Sequence, residues 1–114
     1  MTPIQIRTVV CRVGEEPTIE LIDKGLKPMQ EIVEGYIECV QLACYPDGRT
    51  IDLWCNEEFL LLGLPPNRLV ENCQPIMGNF FITASDEGET VGLDNAEAIE
   101  WLARAMSWPV GIQL

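Results

Sequence analysis

The sequence contains no histidine, and this absence excludes a large share of enzyme chemistry. Without an imidazole there is no Ser-His or Cys-His pair to activate a nucleophile, and no histidine ligand for a metal ion. The nine glycines do not form a phosphate-binding loop either, because each stands isolated in the sequence. We therefore expect a protein that is not an enzyme and that carries no cofactor and no metal.

Basic residues are also scarce. Seven lysines and arginines stand against 18 aspartates and glutamates, which gives a net charge of −11. The seven are scattered singly, whereas binding to nucleic acid or to anionic lipid requires basic residues in clusters. Direct binding to nucleic acid or to a membrane is therefore not expected. The same negative field attracts basic protein surfaces, although solubility alone is the simpler explanation of the acidity.

Long hydrophobic runs are missing as well. No apolar stretch reaches the length of a membrane span, and residues 1–5 lack the basic and apolar regions of a secretion signal. Five cysteines without such a signal are typical of a reducing compartment, so we expect a cytoplasmic protein. An odd number of cysteines leaves at least one thiol free.

Length and composition predict one globular domain over residues 1–114. Alternating apolar residues and turn residues predict strands at 4–13, 18–22, 36–45, 50–55 and 76–84. Helical spacing and capping residues predict helices at 27–34 and 95–106, with shorter helical turns after Asn56 and after Pro66. The predicted fold class is α+β, with a small, mostly antiparallel sheet of about five strands and two or three short helices.

The residues Pro46-Asp47-Gly48 predict a three-residue hairpin loop between the third and fourth of these strands. If Tyr45 faces Arg49, counting outward puts Cys39 opposite Cys55. Direct opposition would permit a reversible disulfide between these two cysteines. The alternative is that the cysteines are small buried hydrophobic residues.

Two acidic residues follow the fourth predicted strand. Glu57 and Glu58 can supply a carboxylate pair for acid–base chemistry or for a divalent cation. In the first turn after Asn56, however, they are also the residues that a helix dipole prefers. Both readings stay open from the sequence.

Asn67 and Arg68 offer an amide and a guanidinium fork to an anionic or nucleobase-like ligand. Four aromatic residues are available for stacking or anchoring, namely Tyr36, Trp54, Trp101 and Trp108. The structural alternative is that Arg68 pairs with Glu57 or Glu58 and caps local carbonyls.

Four leucines lie between these two polar groups, at positions 60, 61, 62 and 64. Leucines need an apolar partner, and the preceding hairpin is the nearest one in the chain. We therefore expect segment 56–68 to lie against strand 36–45, and we expect Leu61→Asp or Leu62→Asp to unfold the protein.

Four motifs stand in a specific order: Gly35-Tyr36-Ile37-Glu38, Cys55-Asn56-Glu57-Glu58, Gly63-Leu64-Pro65-Pro66-Asn67-Arg68 and Gly78-Asn79-Phe80-Phe81-Ile82. In this order they resemble an uncharacterised family of small proteins in phages, plasmids and other mobile elements. The resemblance covers roughly residues 4–82. That family has no assigned catalytic residues, so the resemblance implies a genomic context and suggests a phage accessory protein in the host cytoplasm.

The sequence leads to one main functional hypothesis. We expect a non-enzymatic accessory protein that inhibits a host defence or nucleic-acid-handling protein by binding its basic surface. Seven residues are the expected ligand or partner contacts: Asn56, Glu57, Glu58, Asn67, Arg68, Trp101 and Trp108.

Two alternatives remain. The first is a small-molecule sponge for a nucleotide immune signal, with Asn56, Asn67 and Arg68 as ligand contacts and a homo-oligomer that encloses the pocket. The second, which the sequence favours least, is an enzyme that uses carboxylates and a divalent metal.

Overall fold

A computed structural model describes residues 4–71 and 74–111, and in that part of the chain it contains eight strands and two helices. In chain order these are β1 (Gln5–Cys11), β2 (Thr18–Asp23), α1 (Leu26–Val33), β3 (Ile37–Cys44), β4 (Thr50–Asn56), β5 (Pro66–Val70), β6 (Gln74–Met77), β7 (Phe80–Asp86), β8 (Glu89–Val91) and α2 (Asn95–Ser107). The α+β class is confirmed, with more strands than the five expected.

The main sheet has the strand order β2-β1-β7-β4-β3, and every neighbouring pair is antiparallel. Strand β7 is central: β4 pairs with one of its edges, and β1 and β8 share the other. Phe80, Phe81 and Ile82 of β7 are all fully buried, because both faces of the sheet are covered. Strands β5 and β6 form a separate hairpin.

Each face of the sheet has its own hydrophobic cluster. The larger cluster lies on the face that α2 covers, where Trp101 packs with Leu53 and Phe80. The smaller one lies under α1, where Met29 and Val33 pack with Phe81. Alternation along β4 and β7 therefore sends consecutive side chains into different clusters.

Helix α2 begins with a capping box formed by Asp94 and Glu97. The Asp94 carboxylate accepts a hydrogen bond from the Glu97 backbone nitrogen at 2.7 Å, and the Glu97 carboxylate accepts one from the Asp94 backbone nitrogen at 2.9 Å. Glu97 also pairs with Arg49, with 2.8 Å between Oε1 and Nη2. The ion pair joins the end of the β3–β4 loop to the first turn of α2.

Two predicted elements differ in the structure. The predicted strand 76–84 is two strands, because Gly78 takes a left-handed conformation (φ 79°) between β6 and β7. The helical turn predicted after Pro66 is wrong, because that segment is strand β5. Leu69 donates a backbone hydrogen bond to Pro109 on the edge of β5 that β6 does not occupy. Pairing on both edges therefore overrides the local preference for a turn.

The β3–β4 hairpin keeps its predicted loop but not its predicted register. Tyr45 does face Arg49, and its backbone nitrogen donates to the Arg49 carbonyl at 2.8 Å. The register then shifts between Gln41 and Ala43. Because of this bulge, Cys39 lies opposite Trp54 rather than opposite Cys55. Cys39 and Cys55 therefore lie on opposite faces of the sheet, so the predicted opposition that would permit a disulfide is wrong. Both cysteines are free.

Candidate functional site

Residues 57–62, which we call the leucine loop, carry three consecutive leucines at the surface. Leu60, Leu61 and Leu62 expose 70%, 85% and 57% of their surface. Soluble proteins commonly expose single leucines, but three consecutive ones at a turn make a contiguous apolar patch. Such a patch indicates an interaction surface.

The expectation that these leucines pack on β3 is therefore wrong. The loop does meet the start of that strand, where the Glu57 backbone nitrogen donates to the Tyr36 carbonyl at 2.8 Å. Beyond this point the loop closes on itself, with the Leu62 nitrogen donating to the Glu58 carbonyl at 2.9 Å. Phe59 is the residue that packs against the α2-side cluster. The turn thus directs Phe59 inward and the leucines outward.

Asn56 holds the loop in place. Its side-chain oxygen accepts a hydrogen bond from the Glu58 backbone nitrogen at 2.7 Å, as a cap of the turn. Its side-chain nitrogen donates to the Val33 and Glu34 carbonyls at the end of α1, at 3.1 and 3.3 Å. Because Asn56 is fully buried and uses both ends of its amide, the structure gives it a supporting role next to the loop rather than a place on the surface.

Acidic residues border the leucines. Glu57 is exposed and Glu58 is half-buried. Together with Glu38, Phe59, Leu60 and Leu61 they line a shallow depression of about 340 Å³. None of the described basic residues lines it. The surface therefore combines apolar contact area with negative charge.

Asn67 and Arg68 lie elsewhere, in the interior between β5, β1 and the turn at Gly78. The Asn67 amide donates to the carbonyls of Cys11 and Gly78 at 3.0 and 2.9 Å. The Arg68 guanidinium donates to the Asn67 side-chain oxygen at 2.8 Å and to the Glu15 carbonyl at 2.8 Å. Arg68 exposes only 6% of its surface. This is the structural arrangement considered above as the alternative to ligand binding.

One detail of that alternative is wrong. Arg68 does not pair with Glu57 or Glu58, since no ion pair of the described residues includes it. Its partners are backbone carbonyls and Asn67. Carbonyl oxygens supply the partial negative charge that stabilises the buried guanidinium here.

The two C-terminal tryptophans are not surface anchors. Trp101 exposes 1% and Trp108 6% of their surface. Trp101 packs inside the α2-side cluster, and Arg104 lies over its ring at 4.3 Å from the centroid. Trp108 packs against Phe80 with 6.1 Å between ring centroids. As partner contacts both rings would have to be exposed, but α2 and its C-terminal cap turn them toward the sheet.

Two of the described cysteines, Cys39 and Cys55, have thiols of low reactivity. Burial raises the pKa of the Cys55 thiol to about 12. Partial burial of the thiol and then the nearby Asp52 carboxylate raise the pKa of Cys39, a residue at the surface, to about 11. Asp52 is itself buried, and this burial raises its pKa above the ordinary value. Within residues 4–71 and 74–111 no three cysteines or carboxylates are grouped to hold a metal ion. Cys73 lies outside the described residues.

Comparison with known proteins assigns the chain to a family. The sequence model of a family described as Domain of unknown function (DUF3846) matches residues 6–105. The chain belongs to the DUF3846 family. This match confirms the resemblance to an uncharacterised family. No curated protein and no solved structure matches the chain.

The DUF3846 match runs from β1 into the last turns of α2 and therefore includes the leucine loop and the buried Asn67–Arg68 pair. No helix in the described part of this domain is long and apolar enough to cross a membrane. The sequence already contained a signal for the loop, because three consecutive leucines follow Glu57, Glu58 and Phe59 and end at Gly63. Turn residues on both sides indicate that this run belongs to no helix or strand that would bury it.

Proposed function

We propose that this DUF3846 protein is a non-enzymatic binding protein that engages a partner with a basic, partly apolar surface through the leucine loop. One observation carries the proposal: Leu60, Leu61 and Leu62 are exposed on a turn that is fixed from below by Phe59 and Asn56. Preorganised apolar residues bind with a smaller entropy loss than flexible ones.

The negative charge around the leucine loop indicates the chemistry of the partner. Leu60 and Leu61 share their depression with Glu38, Glu57 and Glu58. The whole chain carries a net charge of −11. A second copy would bring the same glutamates together, and an anionic membrane would repel them, because like charges at an interface are costly. Lysines and arginines next to apolar residues complement this surface best.

Such basic surfaces are common among proteins that handle nucleic acids, which are therefore the target class that we propose. Occupying that surface would block its nucleic acid, so the protein would act as an inhibitor. An accessory role in a phage or other mobile element, directed against a host defence protein, is consistent with this mode of action and belongs to the same proposal.

The nucleotide sponge is less well supported. Its proposed contacts, Asn56, Asn67 and Arg68, are buried, and their side chains bond to backbone carbonyls of the same chain. Any small-molecule site has to lie elsewhere in the fold.

A defined peptide tests the loop. A labelled helical peptide of about 18 leucines and lysines is titrated with the protein, and fluorescence anisotropy measures its Kd. Leu61→Ser with Leu62→Ser should weaken binding by at least about tenfold. Ile99→Ser, which changes an equally apolar exposed residue on α2, should leave Kd unchanged. Glu57→Gln with Glu58→Gln should weaken binding most at low salt.

Equal affinities for the wild type and the leucine variant would contradict the proposal. So would loop-dependent binding to neutral lipid vesicles without binding to the peptide, which would assign the leucines to a membrane. Capture from a host lysate then identifies the target. The supporting result is a basic protein that the wild type and Ile99→Ser retain and that the leucine variant does not. The wild-type protein should also prevent this captured protein from binding its nucleic acid.

A further inference from the structure

A second concave site lies on the α1 face of the sheet, between the start of α1 and the β7–β8 hairpin. This cleft of about 390 Å³, which we call the Trp54 cleft, shares no lining residue with the depression at the leucine loop. Trp54 and Ile37 line it from the sheet, and Leu26 and Met29 line it from α1. Its size is within the range of small-molecule sites.

Trp54 is held rigidly in this cleft. Its indole nitrogen donates to the Thr83 hydroxyl at 2.9 Å, and its ring stacks on Phe81 with 6.5 Å between centroids and 18° between planes. Because the only polar atom of the side chain is already bonded, Trp54 offers a ligand nothing but its π surface. A flat aromatic ring is the group that such a surface binds best.

One ion pair joins the two sides of the cleft. Lys24 lies just before α1 and Glu89 begins β8, and their Nζ and Oε1 atoms are 2.6 Å apart. The Lys24 side chain is 28% exposed and that of Glu89 is 70% exposed. Exposed ion pairs contribute little to stability, so an anionic group of a ligand can take the place of the Glu89 carboxylate on Lys24.

We propose that the Trp54 cleft binds a small planar aromatic anion, with its ring over Trp54 and its charged group on Lys24. A carboxylate and a phosphate share this chemistry, and the test distinguishes them. The net charge of the chain opposes anions at long range, but at physiological salt this repulsion is screened beyond about 8 Å, whereas Lys24 is in direct contact. The site does not depend on the partner proposed for the leucine loop.

Four probes test the site: indole-3-acetate, adenosine 5′-monophosphate and their uncharged counterparts indole and adenosine. Each is titrated to millimolar concentration while NMR follows the three indole N–H signals, and Trp54→Phe assigns the signal of Trp54. The expected result is a saturable shift of that signal with at least one anionic probe, and weaker binding of its uncharged counterpart. The anion that gains more affinity over its own uncharged counterpart identifies the charged group.

The two lysines of the chain provide a matched pair of variants, because Lys24 lines the cleft whereas Lys27, in the first turn of α1, does not. Lys24→Gln should weaken binding of the anionic probe by about tenfold, and Lys27→Gln should leave it unchanged. Glu89→Gln should tighten it, because Lys24 then loses its competitor. All three residues are at the surface, so these variants should fold.

Two results would overturn the proposal. The first is that none of the four probes shifts the Trp54 signal. The second is that Lys24→Gln and Lys27→Gln weaken binding equally, which would show general surface attraction in place of a site.

Discussion

Gly35 lies directly against the side chain of Asn56. A Cβ atom on Gly35 would be 2.6 Å from the Asn56 side-chain nitrogen. That nitrogen is fixed by its hydrogen bonds to the Val33 and Glu34 carbonyls. The absence of a side chain at position 35 thus lets Asn56 reach the end of α1 and cap the leucine loop in the same conformation.

We predict that Gly35→Ala lowers the free energy of unfolding by about 1–3 kcal/mol, because the methyl group displaces Asn56 from its partners. Urea denaturation measures the loss. Asn56→Ala removes the clashing nitrogen, so adding Gly35→Ala to it should cost clearly less than Gly35→Ala alone. If the two effects simply add, the close contact between these residues is not what requires glycine.

Most elements of this fold are predictable from the sequence, because neighbouring residues determine them. The first hairpin, both helices and the capping box at Asp94 and Glu97 are set by residues close together in the chain, and the structure contains all of them. The elements that were predicted wrongly are those whose conformation depends on residues far away in the chain. Strand β5 forms because Pro109 and β6 pair with its two edges. The residues of β5 itself do not indicate either partner.

The candidate site was predictable only in part, for the same reason. Asn56 and Asn67 stood out as polar residues among apolar ones, but a polar residue in an apolar run can face a ligand or tie backbone segments together. Three asparagines do the latter, with Asn79 joining Val13 to Ile32 as the third. The role of such an asparagine depends on which backbone carbonyls the tertiary structure places next to its side chain. The sequence does not show these carbonyls.

Arg68→Ala should lower the free energy of unfolding by about 1–3 kcal/mol, because the Glu15 carbonyl and the Asn67 side chain lose their donor in a buried place. Arg68→Lys should restore only part of it, since one ammonium cannot reproduce the fork of a guanidinium. Thermal and urea unfolding measure both variants. An unchanged Tm together with lost binding of partner or ligand would instead give Arg68 a functional role.

Acid should weaken the contact between Arg49 and Glu97. Hydrogen bonding to Arg49 lowers the pKa of Glu97 below its ordinary value of 4.5. The stabilisation is therefore complete above the unfolded-state pKa and is lost as the pH falls through the lower folded-state pKa. Glu97→Gln should cost about 1 kcal/mol at pH 7 and progressively less below pH 4.5, as urea denaturation across this range will show.

Asp52 provides a control of opposite sign. Its burial raises its pKa, so the native state binds this proton more tightly and Asp52 destabilises the protein more as the pH rises. Asp52→Asn should therefore gain stability at pH 7, and the gain should shrink on acidification. Parallel pH profiles for the Glu97 and Asp52 variants would contradict these assignments.

The bulge in the β3–β4 hairpin can be tested through its cysteines. Cys39 and Cys44 are exposed, whereas Cys11 and Cys55 are buried. In the native protein an alkylating reagent should modify the first two and reach the buried two only after unfolding. Mass spectrometry of the peptides assigns each site. Cys39 should react slowly near pH 8, because its pKa is raised to about 11 and the thiolate is the reactive form.

Since Asp52 contributes to that raised pKa, Asp52→Asn should speed the modification of Cys39 and leave Cys44 unaffected. A shift of the register by one residue moves a side chain to the other face of the sheet, so these rates report the bulge directly. A disulfide-linked peptide containing Cys39 and Cys55, or equal native reactivity of the two, would show a hairpin without the bulge. In that case Cys39 would leave the α1 face, whereas Trp54 would stay on it, because the pairing of Trp54 with Phe81 on β7 does not depend on β3.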